Sequence, residues 1–198
     1  QGTSGFDQNY RLCREAAEAT RNQVLAWQGQ RCSGAFHYLS AGTTRDGIQV
    51  LQQQEYGYLQ SVESQWDIQC PEYLSGKTFA PEELVQALSE ELPGVTLTEE
   101  DLDSINVEKQ DTAGYVLEVR VKDQLLPGET FAQVLDLSSS CFTIQVLEGQ
   151  IRFICKGVGH GLGMSQYGAM EMAAQGVLYD EILKTYFPEA EIQTETGV

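Results

Sequence analysis

The residues best suited to chemistry lie in one glycine-rich segment, Gly157–Ala169 (GVGHGLGMSQYGA). Glycines alternate there with other residues around His160, one of only two histidines in the chain. Glycines at this density allow positive φ angles and let main-chain N–H groups approach a ligand closely. Ser165 is placed to cap the following helix, whose first N–H groups could bind an acetamido, carboxylate or hydroxyl oxygen. His160 would add a hydrogen-bonding or proton-transferring side chain at the mouth of this loop.

Two other interpretations of this segment fail on spacing. A serine nucleophile elbow needs glycine two residues after the serine, where Tyr167 stands. A dinucleotide fingerprint that begins at Gly159 needs glycine or alanine at the position of Met164. Neither serine hydrolysis nor nucleotide binding is therefore supported. A structural strand-to-helix turn with an ordinary histidine remains the alternative to a ligand site.

The rest of the pattern predicts the helices and hairpins that would position this segment. Helices are predicted at Tyr10–Arg21, Pro81–Leu92, Pro127–Leu135, Met164–Gln175 and Tyr179–Phe187. Hairpins are predicted from Gln23–Trp27 with Gly34–Leu39, Ile105–Lys109 with Tyr115–Val121, and Phe142–Leu147 with Ile151–Cys155. A further strand is predicted at Tyr58–Val62, and a loop at Ser40–Gln54. The mixture predicts an α+β fold, with antiparallel hairpins and peripheral helices around a single substrate cleft. We expect one domain over residues 1–198, with an acidic helical flank at about residues 79–103.

Charge and cysteine content exclude or weaken several function classes. The 198 residues include 12 basic and 29 acidic ones, a net charge of −17 that argues against nucleic acid as a partner. The five cysteines form no CxxC pair, so a metal site is weakly supported and no metal or cofactor is expected. Cys141 and Cys155 lie on the two strands of one predicted hairpin, where a disulfide depends on geometry that sequence leaves open. The chain opens at Gln1 without Met, which suggests a mature or trimmed form.

Four blocks of the sequence resemble the family of stage II sporulation protein D (SpoIID). The most specific is Gly157–Ala169 with the later Tyr179–Pro188 (YDEILKTYFP). A second specific block joins Ala16–Leu25 (AAEATRNQVL) to Ala35–Thr44 (AFHYLSAGTT). Two weaker blocks are Tyr58–Val62 leading to Trp66-Asp67, and Gly128–Leu137 closed by Phe142. The blocks follow the family's order from about residue 10 to the C-terminus.

The resemblance implies a lytic transglycosylase that cleaves peptide-stripped peptidoglycan strands between N-acetylmuramic acid and N-acetylglucosamine. It implies an extracytoplasmic protein that faces the cell wall, secreted or membrane-anchored through a removed N-terminal segment. Glycan strands, and a cell-wall amidase or a sporulation complex, would be its partners. It also implies that two loops meet in one cleft and bind substrate through these residues: His37, Ser40, Thr44, His160, Gly161, Ser165 and Gln166.

The catalytic residue itself is unknown from this sequence. The family's catalytic glutamate lies upstream of the helix that matches Tyr10–Arg21, and nothing in Gln1–Asn9 matches its segment. The chain is therefore either part of a longer protein that carries the acid, or a non-catalytic glycan-binding or scaffold module of the same fold. It also departs from the family at Arg45, where an acid is usual, and at Ala132 and Ser138, which replace arginines. These departures bear on substrate preference and on activity.

Overall fold

The fold is taken from a computed structural model, which describes residues 3–91 and 97–195. The chain divides into two compact units. One contains the described residues within Gln1–Ser33 and Ala190–Val198, and the other is Gly34–Glu189. The candidate site lies entirely within the second, larger unit.

The helices follow the start and stop signals of the sequence. In the described residues they are α1 (Thr3–Ala19), α2 (Gly47–Leu51), α3 (Pro81–Glu91), α4 (Gly128–Val134), α5 (Gln166–Ala174) and α6 (Tyr179–Tyr186). Helix α3 begins at a proline with Glu82 and Glu83 in its first turn, where carboxylates favour the positive end of the helix dipole. Ser165 caps α5 by accepting a hydrogen bond from the Gly168 N–H, as its position in the sequence predicts.

The strands of the described residues are short and mostly antiparallel. They are β1 (Gln23–Trp27), β2 (Gln30–Arg31), β3 (Phe36–His37), β4 (Leu74–Phe79), β5 (Asn106–Gln110), β6 (Val116–Val121), β7 (Gln124–Pro127), β8 (Phe142–Leu147), β9 (Gln150–Lys156), β10 (Met164–Ser165) and β11 (Glu191–Thr194). The smaller unit holds the sheet β11-β1-β2, and the larger unit holds β4-β9-β8, β5-β6-β7 and the pair β10-β3. Only β10 and β3 pair in parallel within these sheets.

The core of the larger unit lies where both of its three-stranded sheets meet helices α3 and α4. Phe131, Phe142 and Phe153 form its aromatic centre, with ring centroids 5.6 to 5.8 Å apart. All three side chains are essentially fully buried. Such rings bury large apolar areas and dominate the energetics of a core, so they fix β8 and β9 against α4.

The α+β class is confirmed, and so are the second and third hairpins and the helices α3, α4, α5 and α6. The helix predicted at Tyr10–Arg21 begins earlier and ends at Ala19. Helix α3 is described to Glu91, because residues 92–96 of the predicted acidic flank lie outside the described residues. The single domain and its acidic flank stay predictions. In the parts that the structure describes, no helix is both long and apolar enough to cross a membrane.

Three predictions about residues 23–62 are wrong. The first hairpin does not use Gly34–Leu39, because a tight turn at Gln28-Gly29 returns the chain at β2, and β1 also pairs with β11. Ser40–Gln54 is not all loop, since Asp46 accepts a hydrogen bond from the Gln49 N–H and starts α2. Tyr58–Val62 is not a strand.

That segment is a partly buried loop, joined to the loop before it by single main-chain hydrogen bonds. The Leu59 carbonyl accepts from the Gly47 N–H at 2.7 Å, and the Val62 carbonyl accepts from the Thr44 N–H at 2.8 Å. Its adjacent apolar residues Tyr58 and Leu59 are buried without a strand ladder. The strands β4 and β7 went unpredicted, since they are mostly exposed and carry little apolar periodicity.

Candidate functional site

The two loops that the sequence singles out lie side by side. Phe36–His37 pairs in parallel with Met164–Ser165. Beyond this pair, Leu39 and Val158 exchange two hydrogen bonds of 3.1 and 2.8 Å. The Arg45 N–H donates to the Gly161 carbonyl at 2.8 Å. The histidine-bearing strand β3 and the glycine-rich segment therefore form one backbone framework.

The glycine-rich segment needs its glycines for both conformation and space. Gly157, Gly159, Gly161 and Gly163 all have positive φ angles, between 72° and 99°. A Cβ on Gly161 would lie 2.5 Å from Tyr115 Cζ, and one on Gly163 would lie 2.1 Å from the Ala35 carbonyl oxygen. Distances of this kind leave no room for a side chain, so the segment can run this close to its neighbours only as glycine.

The two histidines meet, and the main chain of one residue, Leu162, orients both. Their ring centroids are 5.7 Å apart at 60°. His37 Nδ1 lies 3.1 Å from the Leu162 carbonyl oxygen, and the Leu162 N–H donates to His160 Nδ1 at 3.1 Å. Because a carbonyl only accepts and an N–H only donates, His37 carries its proton on Nδ1 and His160 carries its proton on Nε2. Nε2 of His37 is therefore an acceptor, while Nε2 of His160 is a donor.

His37 differs from His160 in its exposure. His37 is 4% exposed, and its Nε2 is the one buried side-chain polar atom without a hydrogen-bond partner in the described part of the chain. Burial lowers the pKa of His37 to about 4, with a smaller lowering contribution from His160, while the bond to the Leu162 carbonyl opposes the shift. His160 is exposed. The site therefore combines a buried neutral acceptor with an accessible donor.

A buried carboxylate, Asp67, ties the two loops together. It is fully buried. One of its oxygens accepts bonds from both the N–H, at 3.0 Å, and the hydroxyl of Ser40, and the other accepts the Ser165 hydroxyl at 2.8 Å. Ser40 and Ser165 were predicted to bind substrate, yet both are fully buried and point at this carboxylate. They position the backbone of the two loops.

Tyr186 packs against the same carboxylate from helix α6. Its hydroxyl lies 2.8 Å from Ser64 Oγ. A Cβ on Gly168 would lie 2.1 Å from the Tyr186 hydroxyl and 3.1 Å from Asp67 Oδ1, so glycine is required where α5 crosses this group. Burial raises the pKa of Tyr186 to about 12, with a further contribution from the charge of Asp67, so the phenol stays protonated.

The remaining predicted residues fall into two groups. Thr44 is fully buried, and its hydroxyl links the Gln60 carbonyl, at 3.2 Å, to the Val62 N–H, at 3.0 Å. It is a scaffold residue. Gly161 provides the carbonyl bonded by Arg45 and the close approach to Tyr115. Gln166 is exposed as the first residue of α5. His160 and Gln166 are thus the accessible side chains of the predicted set.

Arg45, which the sequence predicts to depart from the family pattern, is a buried scaffold residue with 1% exposure. Its Nε donates to Asp111 at 2.5 Å, and its Nη1 donates to Glu129 and, at 3.1 Å, to the His160 carbonyl. Its guanidinium also lies 4.7 Å from the centroid of the Tyr115 ring. Such pairing offsets the cost of burying a charge, and here it anchors the glycine-rich segment from behind.

The structure gives no disulfide or metal centre to the described residues. All five cysteines are free thiols. Cys155 pairs with Phe142 across the β8–β9 ladder and Cys141 precedes β8, so the hairpin is confirmed while the pair remains reduced. No group of three or more histidine, cysteine and acidic residues within residues 3–91 and 97–195 is arranged to hold a metal ion.

Sequence reasoning missed Asp67, Tyr186 and Tyr115 as parts of the site. Trp66-Asp67 lies in a block that resembles the family, but a lone acid in a loop carries no sign that it will be buried. Its two serine partners lie 27 and 98 residues away, so sequence spacing could not connect them.

Comparison with known proteins gives two relatives along nearly the whole chain. Stage II sporulation protein D of Bacillus amyloliquefaciens is 31% identical over 190 residues, covering 96% of this chain and 53% of the relative. The protein of the same name from Bacillus subtilis strain 168 is 30% identical over 192 residues, with the same shares. The chain thus spans about half the length of the curated relatives it matches.

A third relative matches over a short stretch. The amidase enhancer of Bacillus subtilis strain 168 is 61% identical over 33 residues, which are 17% of this chain and 5% of that protein. No protein-family model matches the chain. The two longer matches each cover 96% of the chain. They agree with the sequence blocks that resemble the family, and with the main-chain framework that joins the two loops. The chain belongs to the stage II sporulation protein D family.

Proposed function

We propose that this protein acts on the glycan strands of peptidoglycan during sporulation, as a lytic transglycosylase that remodels the cell wall. The proposal also places the protein outside the cytoplasm, because its substrate lies there. The family membership supports a role in sporulation. The chemistry of the site supports a glycan as ligand.

The complementary histidine pair is the observation that carries this proposal. A sugar hydroxyl both donates and accepts hydrogen bonds. The hydroxyl can accept from Nε2–H of the exposed His160, whose ring lies 5.7 Å from that of His37. Nε2 of His37 is an unpartnered acceptor buried behind it, so a ligand group that donates to it must enter between the two loops. Because Leu162 fixes both tautomers, this pair is arranged before the ligand arrives, and such preorganised dipoles reduce the cost of binding.

A neutral, hydroxyl-rich ligand also fits the charge of this site. His37 is neutral at ordinary pH, since burial lowers its pKa to about 4. Buried serines and glycine backbone supply the rest of the framework. An anionic ligand would gain little here, because the carboxylate of Asp67, which is buried beneath the loops, repels negative charge. This balance favours peptide-stripped glycan over strands that carry acidic stem peptides.

Asp67 is not suited to be the catalytic acid. Transglycosylation needs one carboxylic acid that protonates the glycosidic oxygen and then, as carboxylate, takes the proton of the muramoyl 6-hydroxyl as the 1,6-anhydro ring closes. Both oxygens of Asp67 are engaged by serines and the side chain is fully buried. The proposal therefore assigns the acid to a residue upstream of Gln1 and assigns substrate holding to this chain.

Digestion of purified peptide-free glycan strands, with products identified by mass spectrometry, tests the catalytic part. The chain is assayed alone and within the full-length protein. Anhydro-muramoyl products from the full-length protein only are the expected result. Unchanged strands in both reactions would refute transglycosylation, even if binding persisted.

Glycan binding is tested separately by isothermal titration with short peptide-free strands. His160→Ala changes an exposed side chain and should weaken binding about tenfold, since it removes one hydrogen bond to the ligand. Gln145→Ala, on an exposed position of β8, is the matched control and should bind as the unaltered chain does. If His160→Ala bound the strands as tightly as Gln145→Ala does, the histidine pair would not be part of the glycan-binding site.

The second candidate is a non-catalytic glycan-binding or scaffold module. It is favoured by the engagement of Asp67, because this chain's own buried acid is already used for structure. The short match to an amidase enhancer suggests that such a module would work beside a cell-wall amidase. Retained glycan binding without products from the full-length protein would select this candidate.

A further inference from the structure

A cleft away from the histidine site lies between two sheet edges that no strand of the described residues covers. It has a volume of about 640 Å³ and runs between β5 and β8. Both are terminal strands of their three-stranded sheets. Buried Ile105, Phe142 and Ile151 form its apolar floor. The histidine pair takes no part in it.

The register of β8 shows which backbone groups face this cleft. Strands β8 and β9 are joined by the two-residue turn Glu148-Gly149, so Leu147 and Gln150 are a hydrogen-bonded pair. The Lys156 N–H donates to the Cys141 carbonyl at 2.8 Å, which gives the same alternation at the other end. Hydrogen-bonded and non-bonded pairs alternate along an antiparallel ladder. The N–H and C=O groups of Phe142, Ile144 and Val146 therefore point away from β9, and these three residues line the cleft.

Strand β8 lacks the usual protection of a sheet edge. Natural edges carry charges, prolines or bulges that prevent another strand from adding. Strand β5 follows this rule, with Glu108, Lys109 and two register shifts. Strand β8 (FTIQVL) has no charge and no proline, and it pairs with β9 in unbroken register. Val146 is 71% exposed, an unusual position for an apolar side chain on an unprotected edge.

The charges around the cleft select the partner. The charged side chains that line it are Glu99 and Asp103, both carboxylates. A second copy of this chain is disfavoured, because each copy carries a net charge of −17. An extended segment with basic residues would meet attraction at the rim, and its alternate apolar side chains would cover the floor.

We propose that the β8 edge is a docking site for an extended, basic polypeptide segment of another protein, which adds to the sheet as a further strand. Main-chain hydrogen bonds to Ile144 and Val146 would supply affinity, and the apolar floor would select alternate side chains. The proposal does not depend on glycan cleavage.

The probe is a capped peptide of roughly seven residues in which valine alternates with lysine, about the length that spans β8. Binding is measured by fluorescence polarisation, and amide hydrogen exchange is followed by NMR. We expect saturable binding below about 1 mM, with exchange of the Ile144 and Val146 amides slowed about tenfold or more. A peptide with glutamate in place of lysine, and one with methylated backbone nitrogens, should bind at least about tenfold more weakly.

Two variants of the protein form a matched pair. Val146→Pro removes an N–H that faces the cleft and spares the β8–β9 ladder, so the chain should fold and bind the peptide about tenfold more weakly. Gln145→Lys changes a neighbour on the opposite face and should leave binding unchanged. The proposal would be overturned if Val146→Pro bound the peptide as tightly as the unaltered chain does, or if the methylated peptide bound as tightly as the unmethylated one. Absence of saturable binding would also overturn it. Dimerisation that Val146→Pro abolishes would also overturn it, since the edge would then serve a second copy.

Discussion

Removal of the Asp67 carboxylate should loosen the junction between the two loops of the candidate site, which their main-chain bonds still join. In Asp67→Ala the Ser40 N–H and the hydroxyls of Ser40 and Ser165 lose their acceptor. A buried N–H left without a partner costs about 1 to 3 kcal/mol. Each hydroxyl loses a bond to a charged group, worth about 1.5 to 3 kcal/mol, but a hydroxyl can rotate toward another acceptor. Ser165 has one in reach, the Tyr38 carbonyl at 3.4 Å.

The cost is reduced because the variant no longer buries a charge. Desolvation of a fully buried carboxylate consumes several kcal/mol, which the variant recovers in part. The expected net loss in the free energy of unfolding is roughly 3 kcal/mol. Asp67→Asn keeps the shape and one acceptor oxygen, and Ser165 can accept from the new amide, so its loss should be about 1 kcal/mol.

Urea unfolding followed by circular dichroism measures these differences, and Asp7→Ala removes the same charge from an exposed helix position as the control. Asp67→Ala should also weaken glycan binding more than its loss of stability explains, because His37 and His160 lie on the loops that Asp67 joins. A loss below about 0.5 kcal/mol in Asp67→Ala, within the range of surface substitutions, would refute the role of this carboxylate. So would a loss in Asp7→Ala of equal size.

Three further predictions concern the same framework. Burial holds the pKa of His37 at about 4, below its ordinary value of 6.5. The stabilisation from keeping this side chain neutral is therefore complete above about pH 6.5, and it is lost as the pH falls toward 4. The total change is on the order of 3 kcal/mol. Urea unfolding at several pH values should show this dependence, and the variant His37→Gln should lack it. Gly161→Ala should lower the free energy of unfolding by about 3 kcal/mol, because its Cβ would meet Tyr115, whereas Gly176→Ala meets no atom and should lose only about 1 kcal/mol for its positive φ. Burial raises the pKa of the Cys141 thiol to about 11, so iodoacetamide should alkylate exposed Cys13 in the native protein and reach Cys141 only after unfolding, as peptide mass spectrometry can show.

Local signals were sufficient for the parts of the fold whose partners are close in sequence. The β8–β9 hairpin needs only a two-residue turn between alternating strands, and helix α5 needs only Ser165 before it and Gly176 after it. The pairing of β3 with β10 was not predicted, since its partners are two residues long and more than a hundred residues apart. The family resemblance brought His37 and His160 to one place, but it did not show that one is buried and the other exposed.

Burial also separates the residues that hold the site from those that can touch a ligand. A motif with serines, a threonine and histidines suggests a row of substrate-binding side chains. In the structure Ser40, Thr44 and Ser165 have their hydroxyls turned inward, where they satisfy main-chain groups and Asp67. Periodicity could not reveal this, because buried polar residues in loops have no fixed spacing. Their role is to fix the two backbones, which in turn fix the imidazoles.

Arg45, predicted as a departure from the family pattern, belongs to the buried scaffold of the site and not to its exposed surface. A fully buried guanidinium is tolerated only when its charge and its donors are satisfied. The carboxylates of Asp111 and Glu129 balance the positive charge of Arg45, and the ring of Tyr115 provides an aromatic face for its guanidinium. Nη1 also donates to the His160 carbonyl, so the arginine holds the glycine-rich segment from behind. Arg45 therefore bears on how firmly the loop of His160 is held, and under the proposed function the choice of glycan would rest with the exposed side chains of His160 and Gln166.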